Sequence, residues 1–188
     1  MATWYEKLEQ WIESRGGCRY IYRPDENGNP VLYLKRYYVL RTPWCEIMLH
    51  QFFLGDEGPV HDHPFPSWGA IIATGYIEHI CKLMRGPGQA LVVVQETRKP
   101  GDWSSRPAAS ADHSLATSFH KVELLPGTSG KVHTLFVTGP RTDYSWGFAD
   151  PQKGFVDYRV QFSKDGTGKA QSAPNQWGYG LFPRKKVA

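Results

Sequence analysis

The sequence predicts an all-β protein, a sandwich or closed barrel preceded by one helix. Short runs rich in Val, Ile, Tyr and Phe recur from Cys18 onward, and clusters of Gly, Pro, Asn and Asp separate them. The start reads differently. There Trp4, Leu8, Trp11 and Ile12 recur at the spacing of one helix face, with Glu6 and Glu9 between them, and Gly16-Gly17 stands ready to end the helix.

The expected helix caps a sheet. The strands come next as "CRYIYR", "VLYLKRYYVL", "WCEIMLHQFFL", "WGAIIATG", "YIEHICKLM" and "ALVVVQETR", then "FHKVELL", "KVHTLFVTG" and "FVDYRVQFS". Turn clusters such as "PDENGNP", "GDEGP", "RGPG", "KPGD" and "LPGTSG" divide them. From about Lys164 the composition turns to Gly, Ser, Gln and Lys with scattered aromatics. Residues 1–163 are therefore expected to form one domain, and 164–188 an irregular tail that adds little to the core.

Composition bounds the function. A chain of 188 residues, 40% hydrophobic and 14% aromatic, can bury one sizeable core. Cys18, Cys45 and Cys81 have neither metal-like nor disulfide-like spacing, which suits reduced thiols in a cytoplasmic protein. No basic-then-apolar leader opens the chain, and no run approaches about eighteen apolar residues, so a soluble, unsecreted protein without a membrane partner is expected. The net charge of +4 is spread along the chain and collects only in "PRKK". Nucleic acid is not an expected partner. Internal repeats and nucleotide-binding glycine signatures are absent.

The stretch "GPVHDHPFPSWGAIIATGYIEH" carries the chemistry. In an extended chain His61 and His63 point to the same side, where two neutral imidazoles can grip one cation. The plain alternative is a polar loop whose histidines bond solvent.

The surroundings of the pair resemble the first signature of the cupin superfamily: a leading glycine, a His-x-His, a glutamate and a closing glycine. Gly55 or Gly58, the pair His61 and His63, and Gly75 match it; Ser67 or Trp68 stands where the glutamate ligand is usual. The second cupin signature is present but stretched. Gly101 and Pro107 keep its first spacing, and two histidines compete for the last position. His113 lies near the usual distance, in the Ala/Ser-rich "PAASADHSLATS". His120 opens "HKVELLPGTSGKVHTLFVTGP", whose strand, turn and strand ending in Pro140 resemble the segment after the cupin histidine. His120 is taken as the third ligand, with an insertion before it, and His113 stays open as the alternative.

The resemblance spans about Tyr33 to Pro140 and implies a double-stranded β-helix, the cupin or jelly-roll barrel, with an N-terminal helix. Small single-domain metal-binding cupins of phage and bacterial genomes are the most similar group. "HDHP" followed by a glycine twelve residues beyond the second histidine resembles the thiol dioxygenase branch, where three histidines bind Fe(II) and the glutamate is missing. That resemblance implies His61, His63 and His120 as metal ligands. It also implies a divalent ion, Fe(II) before Zn, Ni or Mn, and oxidation of a small polar substrate. Two other readings remain: an isomerase, epimerase or lyase on a sugar or nucleotide, with His79 or His133 as acid and base, and a non-catalytic binding protein. Glu78, His79 and Tyr76 are the catalytic candidates, and Arg106 joins Tyr76 as a carboxylate or phosphate contact. His50 and His133, in apolar runs, read as core histidines, and Trp68 and Trp146 as packing. A homodimer is left open.

Overall fold

A computed structural model describes residues 2–84, 91–110, 118–161 and 179–183. Helix α1 spans Trp4–Ser14, opened by a capping box in which Thr3 and Glu6 satisfy each other's backbone N–H. It closes on a Schellman pair: Gly16 N–H donates to Glu13 and Gly17 N–H to Ile12, both at 2.9 Å, with Gly16 at φ +74°.

The strands are β1 Cys18–Pro24, β2 Pro30–Arg41, β3 Glu46–Phe52, β4 Ser67–Ala73, β5 Tyr76–Met84 and β6 Leu91–Arg98. After them come β7 Trp103–Arg106, β8 His120–Glu123, β9 Val132–Thr138, β10 Gly147–Asp150, β11 Gly154–Asp157 and, beyond the helical turn α2 Tyr158–Gln161, β12 Gly180–Leu181. Every pairing is antiparallel. One sheet runs β1-β2-β3-β9-β4-β7, so β9 slots between β3 and β4 from far along the chain. A second runs β6-β5-β8, and β10 and β11 form a hairpin. His61 joins those last two units by bridging to His120 on one side and Phe148 on the other. The two layers face each other in the jelly-roll arrangement. Leu34, Phe52, Ile71 and Val132 of the first sheet pack with Tyr76 and Val122 of the second.

The run "FVDYRVQFS" differs from expectation. Its strand stops at Asp157, whose Oδ1 accepts the Arg159 backbone N–H at 2.8 Å and starts the turn α2. The strands β7 and β10, each of four residues, give no clear sequence signal because "WSSR" and "GFAD" lack the β-branched alternation of a long strand. Within the segment expected as an irregular tail, residues 179–183 dock on the sheet. Gly180 and Leu181 pair with Arg41 and Leu40, and Phe182 packs against the cluster of Ile12, Cys18, Tyr37 and Leu49 while meeting Trp11 edge-on at 4.7 Å. These few residues do add to the core; an aromatic at the right place needs no regular strand around it.

The helix covers the outer face of the first sheet through Leu8 and Ile12 and is pinned by a buried polar pair. Glu9 Oε1 lies 2.8 Å from His133 Nδ1, both residues are buried, and Tyr5 packs on the His133 ring at 4.8 Å. Cys18, Cys45 and Cys81 are free thiols, and no helix among the described residues is long and apolar enough to cross a membrane.

Gly75 is required at the β4–β5 turn, with φ +105° and a hypothetical Cβ only 2.1 Å from the Arg98 carbonyl oxygen. The polar pin is the more instructive target. Replacing Glu9 by Ala leaves a buried His133 nitrogen without its partner, so stability should fall by about 1–3 kcal/mol, read as a lower urea midpoint at unchanged slope. An unchanged midpoint would show that apolar packing alone holds the helix.

Candidate metal centre

His61, His63 and His120 meet between the two layers. Their ring centroids form a nearly equilateral triangle with sides of 5.1, 5.2 and 5.4 Å, and one nitrogen from each lies within 4.8 Å of the others. The local chain dictates this. His61 and His120 are a directly opposed antiparallel pair that exchange N–H to O=C bonds in both directions at 2.8 Å, so their side chains share a face. The extended backbone through Asp62 then returns His63 to that face. Buried Asp62 turns the other way and accepts the Gly147 N–H at 2.7 Å.

Aromatic rings fix the imidazoles. Phe65 stacks on His63 at 5.5 Å and 16°, while Trp146 and Phe148 lie 6.1 and 5.9 Å from His61. Burial pushes the His61 imidazolium down to about 4, an effect that Asp56 opposes and His120 assists. Burial likewise holds His63 well below its ordinary value, with the charges of its neighbours adding to it. Both rings are neutral at pH 7, the form that ligates metal.

The residues fit a divalent ion. His63 Nε2 and His120 Nε2 are 3.0 Å apart, the separation of two adjacent ligands at right angles around an ion with bonds of about 2.1 Å. His61 Nδ1 is buried with no protein hydrogen-bond partner. Among the described residues no carboxylate belongs to the cluster, and Ser67, one of the two residues at the usual glutamate slot, sits at the cavity wall.

The surrounding cavity measures about 120 Å³. Its walls include Arg36, His50, Tyr76, Glu78, Arg106 and Phe136. Glu78 is buried on β5, diagonally across from His120 on β8, and its Oε1 lies 2.9 Å from His120 Nδ1. The same carboxylate accepts from Arg106, and its Oε2 accepts from Arg98 Nε at 2.7 Å. Burial opposes its ionisation. His120 and Arg106 outweigh that and hold the Glu78 carboxyl far below the usual range. Burial, and then the Glu78 charge, push the Tyr76 hydroxyl up, so it stays protonated.

Two expected catalytic histidines stand elsewhere. Alternation along β5 puts Glu78 inward and His79 on the opposite face, where its Nε2 pairs with Glu123 at 2.6 Å. His133 points outward to Glu9. His113 lies outside the described residues. Arg36 is the cavity residue that sequence reasoning missed. It occupies an inward position of β2, in register with His50 on β3, and its Nε donates to His50 Nε2 at 3.1 Å. The signal was present: a cation in phase with inward-facing Leu34 and Tyr38 in "LKRYY" needs a reason to face a core.

No family model matches the chain, and no curated protein matches it. Solved structures do. A cupin-2 domain protein of Rhodospirillum rubrum aligns at 13% identity and TM-score 0.44, covering 71% of this chain and 76% of its own. KdgF of a Halomonas species aligns at 18% and 0.39, covering 65% and 88%. The DMSP lyase DddQ of Ruegeria pomeroyi aligns at 13% and 0.41, covering 70% and 62%. Likenesses of this size carry no weight for activity, and the fold stands on the strand pairing.

Substituting His61, His63 or His120 by Ala should each remove most of the bound divalent metal, because no carboxylate of the cluster remains to compensate. Elemental analysis of the purified variants checks this, with His113→Ala as the comparison. Full occupancy in His120→Ala and loss in His113→Ala would move the third ligand to His113.

Proposed function

We propose that this protein is a mononuclear Fe(II)-dependent oxygenase, of dioxygenase type, acting on a small polar molecule that carries an anionic group. The observation that carries this reading is the set of three histidines, two of them held neutral by burial, lining an inter-sheet cavity. When bound, a divalent ion with three neutral ligands retains its charge and supplies open positions for O₂ and an anionic substrate. The chain's own residues do the rest. Arg36 lines the cavity and has no carboxylate partner among the described residues, so its guanidinium is suited to a substrate carboxylate or similar oxyanion. Tyr76 presents a protonated hydroxyl from the opposite sheet. Phe65 and Phe136 line the same space and limit water.

At about 120 Å³ the cavity is smaller than the roughly 300–1,000 Å³ of pockets that bury drug-sized ligands, which suits a substrate of few heavy atoms. An isomerase, epimerase or lyase needs an acid or base at the reacting carbon. The two histidines that reading would use, His79 and His133, both face away from the cavity.

Protein reconstituted with Fe(II) should consume one O₂ per substrate when offered small thiols, amines or alcohols bearing a carboxylate, because a dioxygenase places both oxygen atoms in product. Arg36→Gln should retain its iron and raise KM by about 10- to 100-fold, the effect of losing one charge-assisted hydrogen bond. Metal-loaded protein that consumes no O₂ with any of them would favour the non-catalytic reading.

A further inference from the structure

We propose that Glu78 is a positioning residue that fixes the proton of His120 on Nδ1 and so presents Nε2 to the ion; the inference rests on the three-histidine reading above. The geometry is one of hydrogen-bond capacity. An arginine has only donors to offer, and Arg106 and Arg98 each donate to the Glu78 carboxylate. A carboxylate held by two guanidinium groups is ionised and accepts only. The group facing it, His120 Nδ1 at 2.9 Å, must therefore be the donor. An imidazole that is neutral and protonated at Nδ1 has its lone pair at Nε2, the atom that lies 3.0 Å from His63 Nε2.

The fold builds this arrangement across four strands. Ile80 of β5 is paired with His120, and Glu78 with Val122, which makes Glu78 the diagonal neighbour of His120 on the inner face. Arg98 comes from β6, in register with Tyr76, and Arg106 from β7 in the other sheet. Arg98 also reaches Glu96, at 3.0 Å, so the charges alternate from the half-exposed Glu96 inward: carboxylate, guanidinium, carboxylate, imidazole. A carboxylate behind a ligand imidazole locks ring orientation and raises its basicity. Glu78 thus acts through His120. It stands outside the three-histidine cluster, in a role other than the catalytic one expected from the sequence.

A glutamine in its place cannot satisfy the same partners. Because Oε1 meets both Arg106 and His120 Nδ1 while Oε2 meets Arg98, its NH₂ faces either Arg98 alone or Arg106 and His120 Nδ1 together. The second choice turns Nδ1 into an acceptor and moves the proton to Nε2, which removes the ligand.

The test uses Co(II) and Zn(II), so that no turnover is required. In Co(II) titrations of the full chain, Glu78→Gln should bind roughly 10- to 100-fold more weakly than the parent. The visible band of its residual complex should shift. Because loss of a buried carboxylate can also unfold the chain, the parent itself supplies the second measurement. Nitrogen-15 NMR of the Zn(II)-loaded parent should show His120 protonated at Nδ1 and bound through Nε2. Binding through Nδ1, or a folded Glu78→Gln with parental Co(II) affinity and spectrum, would overturn the positioning role while leaving the metal site standing. Failure of the parent to bind either ion would overturn the metal reading beneath it.

Discussion

The reciprocal backbone hydrogen bonds between His61 and His120 are the constraint on which the rest of the molecule depends. They are ordinary ladder bonds at 2.8 Å, yet they perform two tasks. Together with the bonds from Asp62 N–H to Gly147 and from Ala149 N–H to Val60, they link β8 to the β10–β11 hairpin through the His61 segment. They also place two imidazoles on one face at the spacing of a directly opposed pair, so that His63, two residues on, completes the triangle. Architecture and chemistry share the same two N–H groups. The imidazole side chains can therefore be removed without cutting the strand connection, whereas a change that blocks the backbone at 61 would cut both.

Charge inside the inter-sheet space is settled group by group. Asp56 accepts from the Tyr33 hydroxyl and from the Val122 N–H at 2.7 Å, which ties the loop before His61 to the strand that carries His120. Glu78 has its two arginines. His50 is kept neutral by burial and by the Arg36 charge, and stacks on Phe136 at 5.1 Å. Arg36 is the exception, a guanidinium at the cavity wall that donates to a neutral ring rather than to a carboxylate. A half-buried cation without a counter-charge is costly. An anionic ligand is the simplest relief.

Much of this was legible in the sequence, and the failures are instructive. The alternation of apolar residues and the turn clusters outlined the long strands, and the HDHP stretch with the "HKVEL" run marked the three histidines, because residue type and local spacing carry that information directly. His79 and Glu78 could not be told apart from sequence, since alternation fixes that they face opposite ways but not which way is in; only the pairing of β5 with β8 decides it. Arg36 did give a signal, its phase with Leu34 and Tyr38, but which face of β2 is inward is decided by partners on other strands. The docking of Phe182 was missed for a related reason: the apolar residues of "WGYGLFP" are few, broken by glycine and set in a Gly-, Ser- and Lys-rich stretch.

The insertion of β9 between β3 and β4 has a kinetic consequence. Phe52 meets Val132 and Thr138 meets Ser67, so the central ladder closes only after the ends of very long loops have met. Topologies dominated by such contacts fold slowly, on the order of milliseconds to seconds, and the pairing of His61 with His120 belongs to the same late closures. An ion held by the three imidazoles would act by mass action, stabilising the folded population in proportion to the logarithm of its concentration.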